Sequence, residues 1–108
     1  MPHNAGIERW RSGAFGRSNT VAFGSTVWAV SNARDLTLSF EGQVKQTLEV
    51  LDSFLAQAGT DRTKLLTVQV ILANISDRDA FNDIWCQWIG GNPEHWPQRA
   101  VFGASLAP

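Results

Sequence analysis

Two stretches of this sequence repeat their apolar residues at helical spacing, and each is followed by a run with the look of a strand. Phe40, Val44, Leu48, Leu51, Leu55 and Ala58 share one helical stripe, with Ser39 placed to cap its start and Gly59 to stop it. Leu66, Val68, Val70 and Leu72 then alternate with Thr67, Gln69 and Ile71, a period of two that ends apolar on both sides and so predicts a largely buried strand. Phe81, Ile84, Trp85, Trp88 and Ile89 return to helical spacing behind Ser76-Asp77-Arg78-Asp79, a capping-box pattern in which Ser76 is the expected cap. Gly90-Gly91-Asn92-Pro93 ends that helix, and residues 99–106 read as a final strand. A helix that crosses over between strands of one sheet leaves few topologies, nearly all right-handed.

The N-terminal third is rich in small, β-branched and aromatic residues. Residues 12–16 and 21–30 are the expected strands, joined by the turn cluster Arg17-Ser18-Asn19-Thr20. The order is then β-β-α-β-α-β, an α+β domain in which a mixed sheet carries both helices on one face. A chain of 108 residues with no repeat or linker reads as a single domain over residues 1–108. Covering only one face of so apolar a sheet leaves the other bare, and we expect a second subunit to bury it. Trp28 and Trp96 lie outside both helical stripes and belong either to that interface, where aromatics are enriched, or to the core.

Charge and cysteine content narrow the function. Nine Lys plus Arg against ten Asp plus Glu give a formal charge of −1, which gathers no phosphates and argues against nucleic acid as a partner. The single cysteine, Cys86, excludes an internal disulfide and a multi-cysteine zinc site; beside Trp85, with no base near it, it reads as a half-buried, inert thiol. His3 and His95 are too few for a metal site without Asp or Glu at ligand spacing, and no metal is expected. No run approaches the ~18 apolar residues of a membrane span, and the first residues lack a signal-peptide layout, so a cytoplasmic protein is expected. Asn74-Ile75-Ser76 fits a glycosylation acceptor by coincidence only. Glu41, Glu49, Asp52, Asp79 and Asp83 lie off the apolar stripes, as on a solvated helix face.

The chemistry concentrates in Trp96-Pro97-Gln98-Arg99-Ala100-Val101-Phe102, where a proline delivers the chain into a strand that begins with a permanent cation. A guanidinium offers paired, planar donors that match a carboxylate, so Arg99 is either the anchor of a small-acid pocket or a solvated charge in a surface ion pair.

Gly42-Gln43-Val44, Thr47-Leu48, Leu51, Leu55, Ala58-Gly59, Leu65-Leu66, Val70, Phe81-Asn82, Trp85, Pro97 and Arg99, in that order, resemble the reactive intermediate deaminase family, also called the Rid or YjgF family, over roughly residues 8–107. The resemblance implies a chorismate-mutase-like fold assembled as a homotrimer, with sheets inside, helices outside and sites in the clefts between subunits. It also implies cofactor-free hydrolysis of 2-imino and 2-enamino acids to 2-oxo acids and ammonia. On the same ground Arg99 matches the carboxylate-binding arginine, Val101 a position whose backbone N–H meets the ligand, Trp10 an aromatic over the site and Asn82 a helix asparagine near it. Gly24-Ser25 stands where the family places a small residue and then glycine. A serine there narrows or strains the pocket if its backbone needs positive φ. The family continues into a last strand whose glutamate positions the attacking water, and this sequence ends at Pro108 without one. Glu94 and His95, in the loop before the strand, are then the candidate acid or base groups, weighed against plain hydrated surface. The expected ligand is a small carboxylate-bearing metabolite. The alternative to the hydrolase is a non-catalytic homotrimer that binds 2-oxo acids. An RNA-acting protein ranks third, since Arg9, Arg11 and Arg17 have no interleaved stacking aromatics.

Overall fold

The computed structural model describes residues 6–107, which leaves His3 and Pro108 outside it. Five strands and two helices follow in the order β1 (Ile7–Arg11), β2 (Ser18–Phe23), β3 (Thr26–Ala29), α1 (Phe40–Gln57), β4 (Thr67–Leu72), α2 (Arg78–Ile89) and β5 (Gln98–Gly103). The α+β class with two helices and mixed sheet pairing stands as expected; the N-terminal third does not, because it holds three strands instead of two. The segment expected as the first strand is a turn. Gly13 and Gly16 adopt φ of +80° and +89° there, and the Ser12 hydroxyl accepts from the Ala14 N–H at 3.0 Å, which folds the chain back before any ladder can form. The true first strand precedes it, and the supposed turn at 17–20 runs into β2. Residues 21–30 are likewise no single strand, since Gly24 at φ +60° turns β2 back onto β3.

β1, β2 and β3 form an antiparallel meander with a bulge at Trp10/Arg11. β4 and β5 pair in parallel through the α2 crossover, in the register Val68↔Arg99 and Val70↔Val101. The expectation of one continuous sheet is corrected: among the described residues no ladder joins the meander to the parallel pair, and β3 as well as both strands of the pair present a free edge.

The helices form where their stripes and caps predict. The Ser39 hydroxyl accepts from the Gly42 N–H at 3.2 Å, and Gly59 takes the left-handed φ of +80° just past the end of α1. At α2 the cap differs from expectation. Asn74 Oδ1 accepts from the N–H and the hydroxyl of Ser76 and so closes a short 3-10 turn, Ile75–Asp77, that leads into the helix. The buried apolar cluster is Val44 and Leu48 of α1, Leu72 of β4, and Phe81, Trp85 and Ile89 of α2, with Val68, Val70 and Val101 against it. Phe54, off the α1 stripe, is buried beneath the Arg34 guanidinium, 5.8 Å above its ring. That loop is tied to α1 by Gln46 Oε1, which accepts from the N–H groups of Arg34 and Asp35 at 2.7 Å each.

Asp52 is not a solvated helix charge. Its Oδ2 accepts from Arg62 at 2.9 Å and from the Trp88 indole N–H at 3.0 Å, while Arg62 also donates to the Trp88 carbonyl at 2.6 Å. This half-buried triad fastens the 3-10 turn Arg62–Lys64 to both helices. Cys86 is exposed instead of half-buried, because it sits on the side of α2 away from Phe81 and Trp85. Trp28 and Trp96 are both 55% exposed and stay out of the core. On the sheet face away from the helices, Ile71 and Phe102 stand exposed in facing register.

Candidate functional site

β5 alternates its side chains across the parallel pair, so Arg99 and Val101 turn toward α2 while Gln98, Ala100 and Phe102 turn away. The Arg99 guanidinium carbon lies 5.2 Å from the Trp85 ring centroid and 5.7 Å from that of Phe81, within the range at which a cation is drawn to an aromatic face. The rings take water away from the cation without offering it an acceptor. Arg99 NH1 is accordingly buried and has no hydrogen-bond partner. An orphaned charged donor of this kind costs about 1–3 kcal/mol or more, which an acceptor brought by a ligand returns.

Beside it opens a cavity of about 350 Å³ lined by Arg78, Asp79, Asn82, Arg99 and Val101. Its wall is the first turns of α2 and its floor is β5, both held by the one crossover unit. Three of the residues singled out from the sequence, Asn82, Arg99 and Val101, thus share one cavity. Arg78 and Asp79 join them without having been singled out. The signal was there: Arg78 and Asp79 precede Asn82 by four and three residues, which puts all three on one side of the helix.

The remaining candidates do not line this cavity. Trp10 lies on β1, opposite Thr20. Gly24 carries the positive φ of the β2–β3 turn itself, so Ser25 meets no left-handed strain. Glu94 and His95 belong to the 3-10 turn Pro93–His95, where Asn92 Oδ1 accepts from the Glu94 N–H at 3.1 Å. Asp61, whose carboxyl is held below the usual aspartate range first by the Thr63 hydroxyl and then by the Thr63 N–H, feels His95 only as a minor further influence. A shallower groove of about 220 Å³ runs between the helices past Lys45, Leu48, Glu49, Ile84, Gln87 and Trp88, and no buried unpaired donor opens into it. Among the described residues no cluster of three or more His, Cys, Asp or Glu could hold a metal ion, and no helix is long and apolar enough to cross a membrane.

Residues 7–108 match the family described as Endoribonuclease L-PSP. A RutC family protein of Haemophilus ducreyi is 37% identical over 65 residues, which cover 60% of this chain and 54% of that protein. The human 2-iminobutanoate/2-iminopropanoate deaminase is 32% identical over 66 residues, 61% of this chain and 46% of its own length. The matched stretch thus spans about half of each of these two curated relatives. In three dimensions the chain superposes on YyfA of Yersinia pestis, described as a member of the conserved Rid protein family. The TM-score is 0.81 at 25% identity, over 93% of this chain and 83% of that one. On the match over nearly its whole length, and with the fold in agreement, the chain belongs to the Endoribonuclease L-PSP family, the Rid/YjgF group of small α+β proteins.

Proposed function

We propose that Arg99 receives the carboxylate of a small 2-imino or 2-enamino acid and that the chain promotes its hydrolysis to the 2-oxo acid and ammonia. The observation that carries this reading is the buried Arg99 NH1 with no partner, at the edge of an open polar cavity. The name of the human relative, a 2-iminobutanoate/2-iminopropanoate deaminase, supports the substrate class. Arg99 grips the carboxylate, the Val101 backbone N–H adds a second contact, and Asn82 orients the C=N bond. Water adds to the imine carbon, the C–N bond then breaks and ammonia leaves. Holding the carbon and a water molecule together supplies most of the gain. No cofactor enters the reaction.

In this reading the working form is a cytoplasmic homotrimer whose subunits cover one another's bare sheet faces, and Trp10, Gly24 and Ser25 approach the cavity from a neighbouring subunit. Glu94 and His95 do not line the cavity, an observation that favours a second reading, carboxylate binding without turnover.

An assay that generates 2-aminoacrylate and follows pyruvate tests the hydrolase. A rate above that of buffer, lowered at least tenfold in Arg99→Ala, is the expected result. No acceleration, or an Arg99→Ala variant as fast as the wild type, rejects it. Calorimetric titration with 2-oxobutanoate separates the second reading, which predicts binding that Arg99→Ala abolishes and no turnover at all.

A further inference from the structure

The cavity holds a second guanidinium that carboxylate binding at Arg99 leaves idle. Arg78 opens α2 and lines the same cavity as Arg99. Its placement is not explained by the stability of the helix. The first turn of a helix is the positive end of its macrodipole, where a carboxylate is welcome and a cation is not. Asp79 is the residue that suits that position, and Arg78 is the one that does not. Nor does an ion pair explain it, since among the described residues the one salt bridge joins Arg62 to Asp52. Arg78 is exposed toward the cavity mouth, whereas Arg99 is half-buried against Phe81 and Trp85, with its NH1 enclosed. Two cations therefore flank the same space at different depths, with the Asn82 amide lining the same cavity. One small monocarboxylate at Arg99 leaves the outer guanidinium without a bonded acceptor, since Asp79 beside it forms no salt bridge with it.

We infer that Arg78 is a specificity-determining residue that selects acids carrying a second carboxylate, four- or five-carbon dicarboxylates, over monocarboxylates of similar length. The inference rests on the reading that Arg99 holds the first carboxylate. The inner carboxylate meets Arg99 and the strand, and the outer one meets the planar donor fork of Arg78. Asp79, beside it, repels an outer carboxylate that strays from the fork and so sharpens the register.

Titration calorimetry of the full chain with 2-oxoglutarate and with 2-oxobutanoate, at one pH and ionic strength, measures the selection. The wild type is expected to bind 2-oxoglutarate roughly five- to tenfold more tightly, up to about one tenfold step of affinity. Arg78→Gln is expected to narrow that ratio to within about twofold, with circular dichroism confirming that α2 is intact, and Arg78→Lys to restore part of it as a point charge. Equal affinities in the wild type, or an undiminished ratio in Arg78→Gln, overturn the inference. Arg99→Ala isolates the premise: if it binds both acids like the wild type, the carboxylate site itself is misassigned. If it loses both while Arg78→Gln leaves the ratio unchanged, only the selection by Arg78 fails.

Discussion

Thr20 is buried to 1% exposure, and its Oγ1 has no hydrogen-bond partner. It shares this condition with Arg99 NH1, but the physical meaning differs. A neutral hydroxyl closed inside a sheet meets no ligand, so its lost hydration is a plain cost to folding. Thr20→Val keeps the β-branched shape and removes the orphan, and is expected to raise stability by about 1 kcal/mol. A urea melt checks this; a midpoint that is unchanged or lower means the hydroxyl is satisfied after all. The Arg99 orphan cannot be relieved in the same way without removing the group proposed to meet the ligand, and in that reading stability and function oppose one another at that residue.

At the scale of elements, short polar closures set where helices and turns begin. Asp61 Oδ1 accepts from the N–H and the hydroxyl of Thr63 and starts the turn that carries Arg62 to Asp52. Both bonds favour the ionised carboxyl and depress its pKa, the Thr63 hydroxyl most. A group whose folded pKa is depressed adds stability above its unfolded value and loses it as the pH falls through the folded one. The urea midpoint of Asp61→Asn is therefore expected to lie below that of the wild type at pH 7, and the gap to close on the acid side of about pH 4, near the ordinary aspartate value. A gap that does not shrink at all as the pH falls below that value contradicts this origin.

Elements of this kind were unevenly legible. Both helices could be read because a stripe of period 3.6 and a glycine stop agree in each, and β4 and β5 because a proline and the alternation frame them. The N-terminal strands could not, because composition alone does not tell Gly13 and Gly16 in a turn from small residues in a strand, and the ladder that distinguishes them is tertiary. The cavity was half legible. Arg99 announced itself after Pro97, but Arg78 and Asp79 read as helix-start residues until β5 was seen to lie beneath them. Asp52 was misread as solvated because its partners, Arg62 and Trp88, stand 10 and 36 residues away.

As a whole the molecule measures 49 × 36 × 20 Å, and 20 Å is the depth of one helix layer on one sheet layer. Its radius of gyration, 14.9 Å, exceeds the roughly 13 Å of a compact chain of this length. A two-layer slab buries its strands on one side only, which is why Ile71 and Phe102 remain exposed. If that face joins copies of the chain, as proposed, then Phe102→Glu places a charge in the joint. Sedimentation equilibrium is expected to show the wild type at three times the chain mass and Phe102→Glu at or near one. A wild type that sediments as single chains at every concentration contradicts the proposed assembly.

The cavity draws all of its lining from residues 78–101, a single uninterrupted piece of chain. Within one chain, its upkeep is therefore a local matter. α1 is free to drift in sequence, provided the slab holds, without altering that lining, whereas the meander is tied to the proposed assembly through Trp10, Gly24 and Ser25. A change of ligand preference needs only a few neighbouring codons.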